Sequence, residues 1–491
     1  MDSRLVNDDI APVEASRRTW NALHYFSLWV GMAICIPTYM IAASLIGGGM
    51  NWKQAMLTVF LGNVIVLIPM ILNGHVGAKY GIAYPVFARA AFGIRGSNIP
   101  AMLRALVACG WFGIQSWIGG AAIYSMLLAV FPSLHDISQV VPHFLGTDLM
   151  AFTCFLGFWA INMALIWKGV ESIKWLETAC APFLIASGLA LLAWAYFRAD
   201  GFGPLLSAPS KFTDFSSFWN FFVPALTGMV GFWATLCLNI SDFTRYSKSQ
   251  RDQILGQSLG LPTTMSLFAF IGIAVTSATI VLYGAPIWDP VVLVRKFESP
   301  VVVFVSMFAV VIATLSTNVA ANVVGPANDF ANLAPKRINF KVGGTITGIL
   351  GILMMPWKLI ADPSGYIFTW LIGYSALLGP IAGILLADYY FIRRTRLHVN
   401  ELFSYQGRYF YQNGFNVRAL IALGIGIAPN LPGFLAQTGV LNPETVPGFV
   451  ALYHYAWFLG LALSATTYTT LMWTRRLSLA DLTPSMLGRA V

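Results

Sequence analysis

From residue 24 onward the chain repeats one unit, an apolar run followed by a polar loop. Each run is about 20 residues long, enough to cross the ~30 Å hydrocarbon core of a bilayer as a helix. Twelve runs centre on residues 24–47, 54–73, 98–130, 149–167, 173–197, 216–240, 258–284, 299–331, 340–360, 365–392, 416–436 and 446–473. Backbone groups in hydrocarbon must find partners inside their own segment, and the two-residue alternation of a barrel strand is absent, so the runs are helical. The expected fold class is an all-α polytopic membrane protein with twelve transmembrane helices. Only 10% of the 491 residues are charged, against roughly 25% in soluble domains, which excludes an ordinary soluble enzyme.

The basic balance, +9 in all, is a matter of sidedness. Twenty-two of the twenty-nine Lys and Arg residues fall on the side that an even number of spans gives to both termini, among them Arg17, Arg18, Arg245, Arg337 and Arg393. Six fall on the other side, and Arg104 stands near the start of the third run. The asymmetry predicts cytoplasmic termini in a cytoplasmic or inner cell membrane, and it calls for no nucleic acid. Residues 1–23 lack an apolar core and read as a polar cytoplasmic lead rather than a secretory signal. Five cysteines (Cys35, Cys109, Cys154, Cys180, Cys237) lie in apolar stretches without CxxC or His at metal spacing, so neither a disulfide framework nor a zinc site is expected.

Two runs are irregular at mid-membrane. In the first, Ile36-Pro37-Thr38 interrupts the helix, because Pro37 has no N–H and disfavours helix at Ile36. In the sixth, Gly228 and Gly231 bracket Met229-Val230 just ahead of Phe232-Trp233. A Pro kink and a Gly packing notch are the plain alternatives. If ten helices form two five-helix repeats, however, the first and sixth correspond, and matched broken helices mark a transporter site.

Polar groups at depth add to this. Trp111 and Gln115 share a face of the third run, an aromatic plate beside an amide. Belt tryptophan and interhelical glue are the structural alternatives. The eighth run gathers Thr314, Ser316, Thr317, Asn318 and Asn322. Ser316 and Thr317 hydroxyls with freed carbonyls suit a hard cation, and Asn322 complements a cyclic amide edge. A polar seam between helices is the alternative. Asp242, Asp329 and Asp388 fall toward span ends, where solvated or salt-bridged roles are expected, so a buried carboxylate proton relay is not.

Asn73-Gly74-His75, Phe92-Gly93-Ile94-Arg95-Gly96, Gly110-Trp111-Phe112-Gly113-Ile114-Gln115, Asn239-Ile240-Ser241-Asp242-Phe243-Thr244-Arg245 and Ser316-Thr317-Asn318 with Asn322 occur in that order. Their order and spacing resemble the nucleobase:cation symporter-1 family, whose members carry uracil, allantoin, hydantoins and other purines or pyrimidines. The resemblance runs from about residue 17 through Gly407-Arg408-Tyr409. It implies a LeuT-type fold of two inverted five-helix repeats with two extra C-terminal helices. The divisions are then 1–23, repeats 24–197 and 198–393, a loop 394–415, helices 416–473 and a tail 474–491.

The same resemblance makes Trp111 and Trp233 the indoles that stack on a planar substrate. Gln115 and Asn322 become its amide partners, with a backbone contact at Phe232. It puts a cation at the carbonyls of Gly31, Ile34 and Ala313 and the hydroxyls of Ser316 and Thr317. Sodium is favoured, with H⁺ as the alternative, and no cofactor is implied. Cys35 stands where relatives often carry Gln or Asn near the substrate, which removes one hydrogen bond. Uracil or a related pyrimidine ranks first and allantoin or hydantoin next. The rivals are a passive channel or facilitator and, more remotely, a membrane-embedded enzyme. The latter lacks HExxH, and His135-Asp136 lack acyltransferase spacing.

Overall fold

The computed structural model describes residues 2–134, 143–168 and 170–481, with 143, 170–181, 184 and 474–481 as backbone only. His135-Asp136, the side chains of Lys174, Cys180, Arg475 and Arg476, and the tail beyond residue 481 lie outside the described residues. Every apolar run carries helix. Seven single helices are long and apolar enough to cross a bilayer, and three bent pairs bring the number to ten. The other two runs carry the shorter apolar helices Ile185–Arg198, the end of Val170–Arg198, and Phe340–Leu353. The spans are numbered below by their order among the twelve runs.

The first span is two half-helices, Ala22–Ala33 and Ile36–Gly47, bent by 60°. Ile34 and Cys35 leave the helical region, and Cys35 is fully extended at φ −145°, ψ 159°. The break thus precedes Pro37, which sits in the first turn of the new helix, where its missing N–H is harmless. The sixth span bends by 42° between Phe215–Phe232 and the helical stretch that opens at Ala234. Here the two glycines are not the hinge. Trp233 is the residue outside helical geometry, at φ −101°, ψ 4°. Gly231 instead permits close approach to span ten, since a Cβ there would run into the Ser375 hydroxyl and stand 3.0 Å from the Leu371 carbonyl.

A third break was not visible in the sequence. Span eight divides into Pro300–Asn322 and Val324–Leu333 at Val323. Pro326 stands four residues beyond Asn322, so the Asn322 carbonyl loses its ordinary helical donor. Span ten, Gly365–Ile392, is wound as π-helix at both ends, Gly365–Leu371 and Ala387–Ile392. Spans three and eight make the most extensive contact, followed by one with seven and ten with twelve. The broken spans one and six pack chiefly on spans seven and two.

The three carboxylates near span ends are buried rather than solvated. Asp329 pairs with Arg104 at 2.9 Å, both side chains fully buried, and Asp388 pairs with Arg393 at 2.6 Å while accepting from the Tyr468 hydroxyl at 2.7 Å. Asp242 accepts from the Tyr84 backbone N–H at 2.9 Å and from Asn239 Nδ2 at 3.1 Å. The salt-bridged role holds for two of them and a hydrogen-bonded structural role for the third.

Candidate functional site

Spans one, three, six and eight meet at a cavity of about 30 Å³ lined by Cys35, Trp111, Gln115, Phe232, Trp233 and Asn322, with Met32, Pro37, Thr317 and Ala321 completing most of its wall. All six residues expected at the substrate are therefore brought together, each less than a tenth exposed. Cys35 and Trp233 are there because the helices break at them, so their side chains point where a helical ladder would not aim them. Trp111 and Gln115 come from one face of the long helix Asn98–Val130.

The indoles do not form an open slot. The Phe232 ring stands edge-on to both, 5.1 Å from Trp111 and 4.9 Å from Trp233 between ring centroids. The cavity has room for about two water molecules, far less than a planar heterocycle. This conformation is contracted around the Phe232 ring. Phe232 thus contributes a side chain to the site as well as the backbone assigned to it.

Each indole is held from behind. Trp233 Nε1 donates to Asn63 Oδ1 at 2.9 Å, and Asn63 Nδ2 in turn donates to the Val59 carbonyl at 2.7 Å. Trp29 meets Trp233 edge to face at 5.1 Å. Around Trp111 stand Trp370, Tyr366 and Tyr374 of span ten, at 5.9, 6.2 and 6.4 Å. Nothing marked these residues in the sequence, because an aromatic inside an apolar run has no periodic signature that names its partner. Asn63 carried the one available signal, a carboxamide alone in an apolar run.

Of the residues expected at the cation, Thr317 lies in the wall of this cavity. The half-helix that stops at Ala33 leaves the carbonyls of its last turn, Gly31's among them, without intrahelical donors. Ala313, Ser316 and Thr317 are buried residues of span eight, and Thr317 shares the cavity wall with Met32 and Cys35. The Thr317 hydroxyl donates to the Ala313 carbonyl at 3.2 Å, which leaves its oxygen lone pairs available. Among the described residues no three His, Cys, Asp or Glu side chains gather. The groups available in this region are carbonyl and hydroxyl oxygens, the donor set that suits a hard ion.

A much larger cavity, about 740 Å³, lies between the far halves of spans five, seven and eight and reaches Ile36 and Ala313. Its lining includes no Asn or Gln, whereas the smaller cavity combines two indoles with two carboxamides. The remaining motif residues are structural. Asn73 donates to the Cys237 carbonyl at 2.9 Å and Thr244 to the Gly74 carbonyl at 2.8 Å, which ties span two to the inner half of span six.

A family profile described as a permease for cytosine/purines, uracil, thiamine and allantoin matches residues 12–460. The chain belongs to the nucleobase:cation symporter-1 family. It is 45% identical over 473 residues to a purine-uracil permease of Arabidopsis thaliana, covering 96% of this chain and 78% of that one. With an allantoin permease of Bacillus subtilis it is 42% identical over 472 residues, covering 96% and 94%. The solved structure of Mhp1, a member of the same family in a closed conformation with bromovinylhydantoin bound, superposes with a TM-score of 0.77 at 26% identity, over 98% of this chain and 97% of Mhp1. A Na⁺-coupled sialic acid symporter shares the fold alone, at TM-score 0.62 and 12% identity, over 96% and 93%. This nucleobase:cation symporter-1 member is thus a polytopic membrane transporter of LeuT-type fold, and not an enzyme.

Proposed function

We propose that the protein imports a planar nucleobase or related cyclic amide, uracil first and allantoin or hydantoin next, together with Na⁺, by alternating access. The observation that carries this is the single cavity in which two indoles, two carboxamides and the breaks of spans one and six meet. Stacking accepts any flat ring, while a buried amide left unpaired costs about 1–3 kcal/mol and so selects the edge. The relatives named for purine-uracil and allantoin transport support the substrate class. Sodium is favoured over H⁺ because the cavity lining holds hydroxyls and no carboxylate or imidazole.

In this reading Gly31, Ile34 and Ala313 carbonyls with Ser316 and Thr317 hydroxyls take the ion beside the substrate, and both ligands bias the rocking of one five-helix repeat, 24–197, against the other, 198–393. Both termini face the cytoplasm by the distribution of Lys and Arg. A passive channel is disfavoured by the match to permeases and to the symporter Mhp1.

The test is initial uptake of labelled uracil, allantoin and hydantoin in cells without their own base transport. Accumulation above the external concentration is expected, and Trp111→Ala and Asn322→Ala should each abolish it while the protein stays in the membrane. Normal uptake by both variants would overturn the site.

A further inference from the structure

We propose that Asn318 and Asn162 are positioning residues that fix which way the Asn322 amide faces. The site then receives a substrate N–H at Asn322 Oδ1 and rejects a ring atom that bears no proton there. This rests on the substrate site described above and names the polarity of one of its contacts.

The argument begins at a group of unambiguous polarity, the Phe158 carbonyl, which only accepts. Asn162 Nδ2 donates to it at 2.8 Å, and this turns Asn162 Oδ1 toward span eight. Asn318 Nδ2 donates to that oxygen at 3.2 Å and also lies 3.1 Å from Ser116 Oγ and 3.3 Å from the Phe112 carbonyl. Asn318 Oδ1 therefore faces the other way, where it accepts from Asn322 Nδ2 at 3.0 Å. One amide hydrogen of Asn322 is used, and its oxygen is left for the cavity.

A carboxamide alone turns over freely, and only its partners decide which end is nitrogen. Turning Asn322 here sets oxygen against oxygen, and the correction passes back through Asn318 and Asn162 to a carbonyl that cannot donate. Asn162 and Asn318 are both fully buried, so each mismatch shifts the equilibrium by about tenfold or more. Gln115 is different. Its Oε1 has no hydrogen-bond partner among the described residues, so that amide adapts to either polarity. Selection for N–H falls on Asn322, and the groups that enforce it are Asn318 of span eight and its partners on spans three and four.

The experiment uses pairs of ring analogues that differ only by N–H replaced with ring O, an oxazinedione beside uracil and an oxazolidinedione beside hydantoin. Each is measured as a competitor of labelled uracil or hydantoin on the full chain. At one ring position the parent should prefer N–H by about tenfold or more. Asn318→Leu and Asn162→Leu should shrink that ratio to about threefold or less by improving the relative binding of the oxygen analogue. Asn162→Asp, whose carboxyl when protonated donates to the Phe158 carbonyl and keeps an acceptor for Asn318, should retain the parent ratio, and the sodium concentration for half-maximal transport should not move. Asn162→Ala carries the same ratio test without steric load if the leucine variants do not reach the membrane. A parent that ignores the N–H to O change at every position overturns the inference, and so do relay variants that keep the parent ratio. If Asn322→Ala competes as the parent does, the substrate site itself is wrong, a separate outcome.

Discussion

The buried pair Arg104–Asp329 gives the most quantitative prediction. Its 2.9 Å contact joins span three to the inner part of span eight, with both side chains at zero exposure. Arg104 precedes Trp111 by about two helical turns and Asp329 follows Asn322 by about two, so the pair clamps the two walls of the site from below. It is an incompletely satisfied pair, because Arg104 Nε and Nη2 and Asp329 Oδ1 have no partners among the described residues.

Asp329→Asn leaves a guanidinium in a dry site, and removal of one member of such a pair costs about 3–5 kcal/mol. Against a total stability of roughly 5–15 kcal/mol, that is a large share of what keeps a protein folded. Replacing both, Arg104→Met with Asp329→Leu, removes the charges and the three unsatisfied atoms together, and should come out near neutral. The assay is the fraction of monodisperse protein in detergent after heating, compared at one scan rate because unfolding of such proteins is rarely reversible. Uptake is measured in parallel. The single variant should lose most of its folded protein at temperatures the parent survives, and the double should recover it. A double no more stable than Asp329→Asn would refute the reasoning, since it would mean the cost lay in lost packing and not in stranded charge.

Three further outcomes follow from local geometry. Gly228→Ala should be tolerated within about 1 kcal/mol, because its Cβ would meet Ile367 and Leu371 at ordinary distances of 3.4 to 3.6 Å, whereas Gly231→Val should abolish folded protein; comparable membrane levels of the two would contradict the packing argument. Asn63→Leu strands the buried Trp233 N–H at a cost of about 1–3 kcal/mol, and should weaken substrate affinity with little change in protein level, read as KM against Vmax. Thr317→Ala should raise the sodium concentration for half-maximal uptake, and a parent whose uptake ignores sodium would reject the cation assignment outright.

The sequence was most informative where chemistry is local. Run length and the absence of alternation sufficed for the helical architecture, and Pro37 announced a broken first span to within two residues. The hinge of span six was misread, since glycine signals either flexibility or close approach. Only the neighbour, here Ser375 and Leu371, decides which. The cluster in span eight was rightly seen to need partners, and the two readings of it divide between residues. Asn318 is interhelical glue to spans three and four, while Asn322 lines the cavity. Neither Asn162 nor the span-ten aromatics could be matched to them, because pairing across a bundle of uniformly apolar helices leaves no periodicity to follow. The order of the family motifs supplied what the residues singly did not.

Cys35 occupies an unusual place for a side chain in a cavity wall. It is buried in the cavity wall, yet its backbone is extended between two half-helices and carries no helical ladder through it. Substitution there changes the chemistry of the wall without altering helix propensity, and a small polar residue would even be favoured at the head of Ile36–Gly47. If the proposed site is correct, a substitution at this one position would alter substrate preference with little penalty to folding.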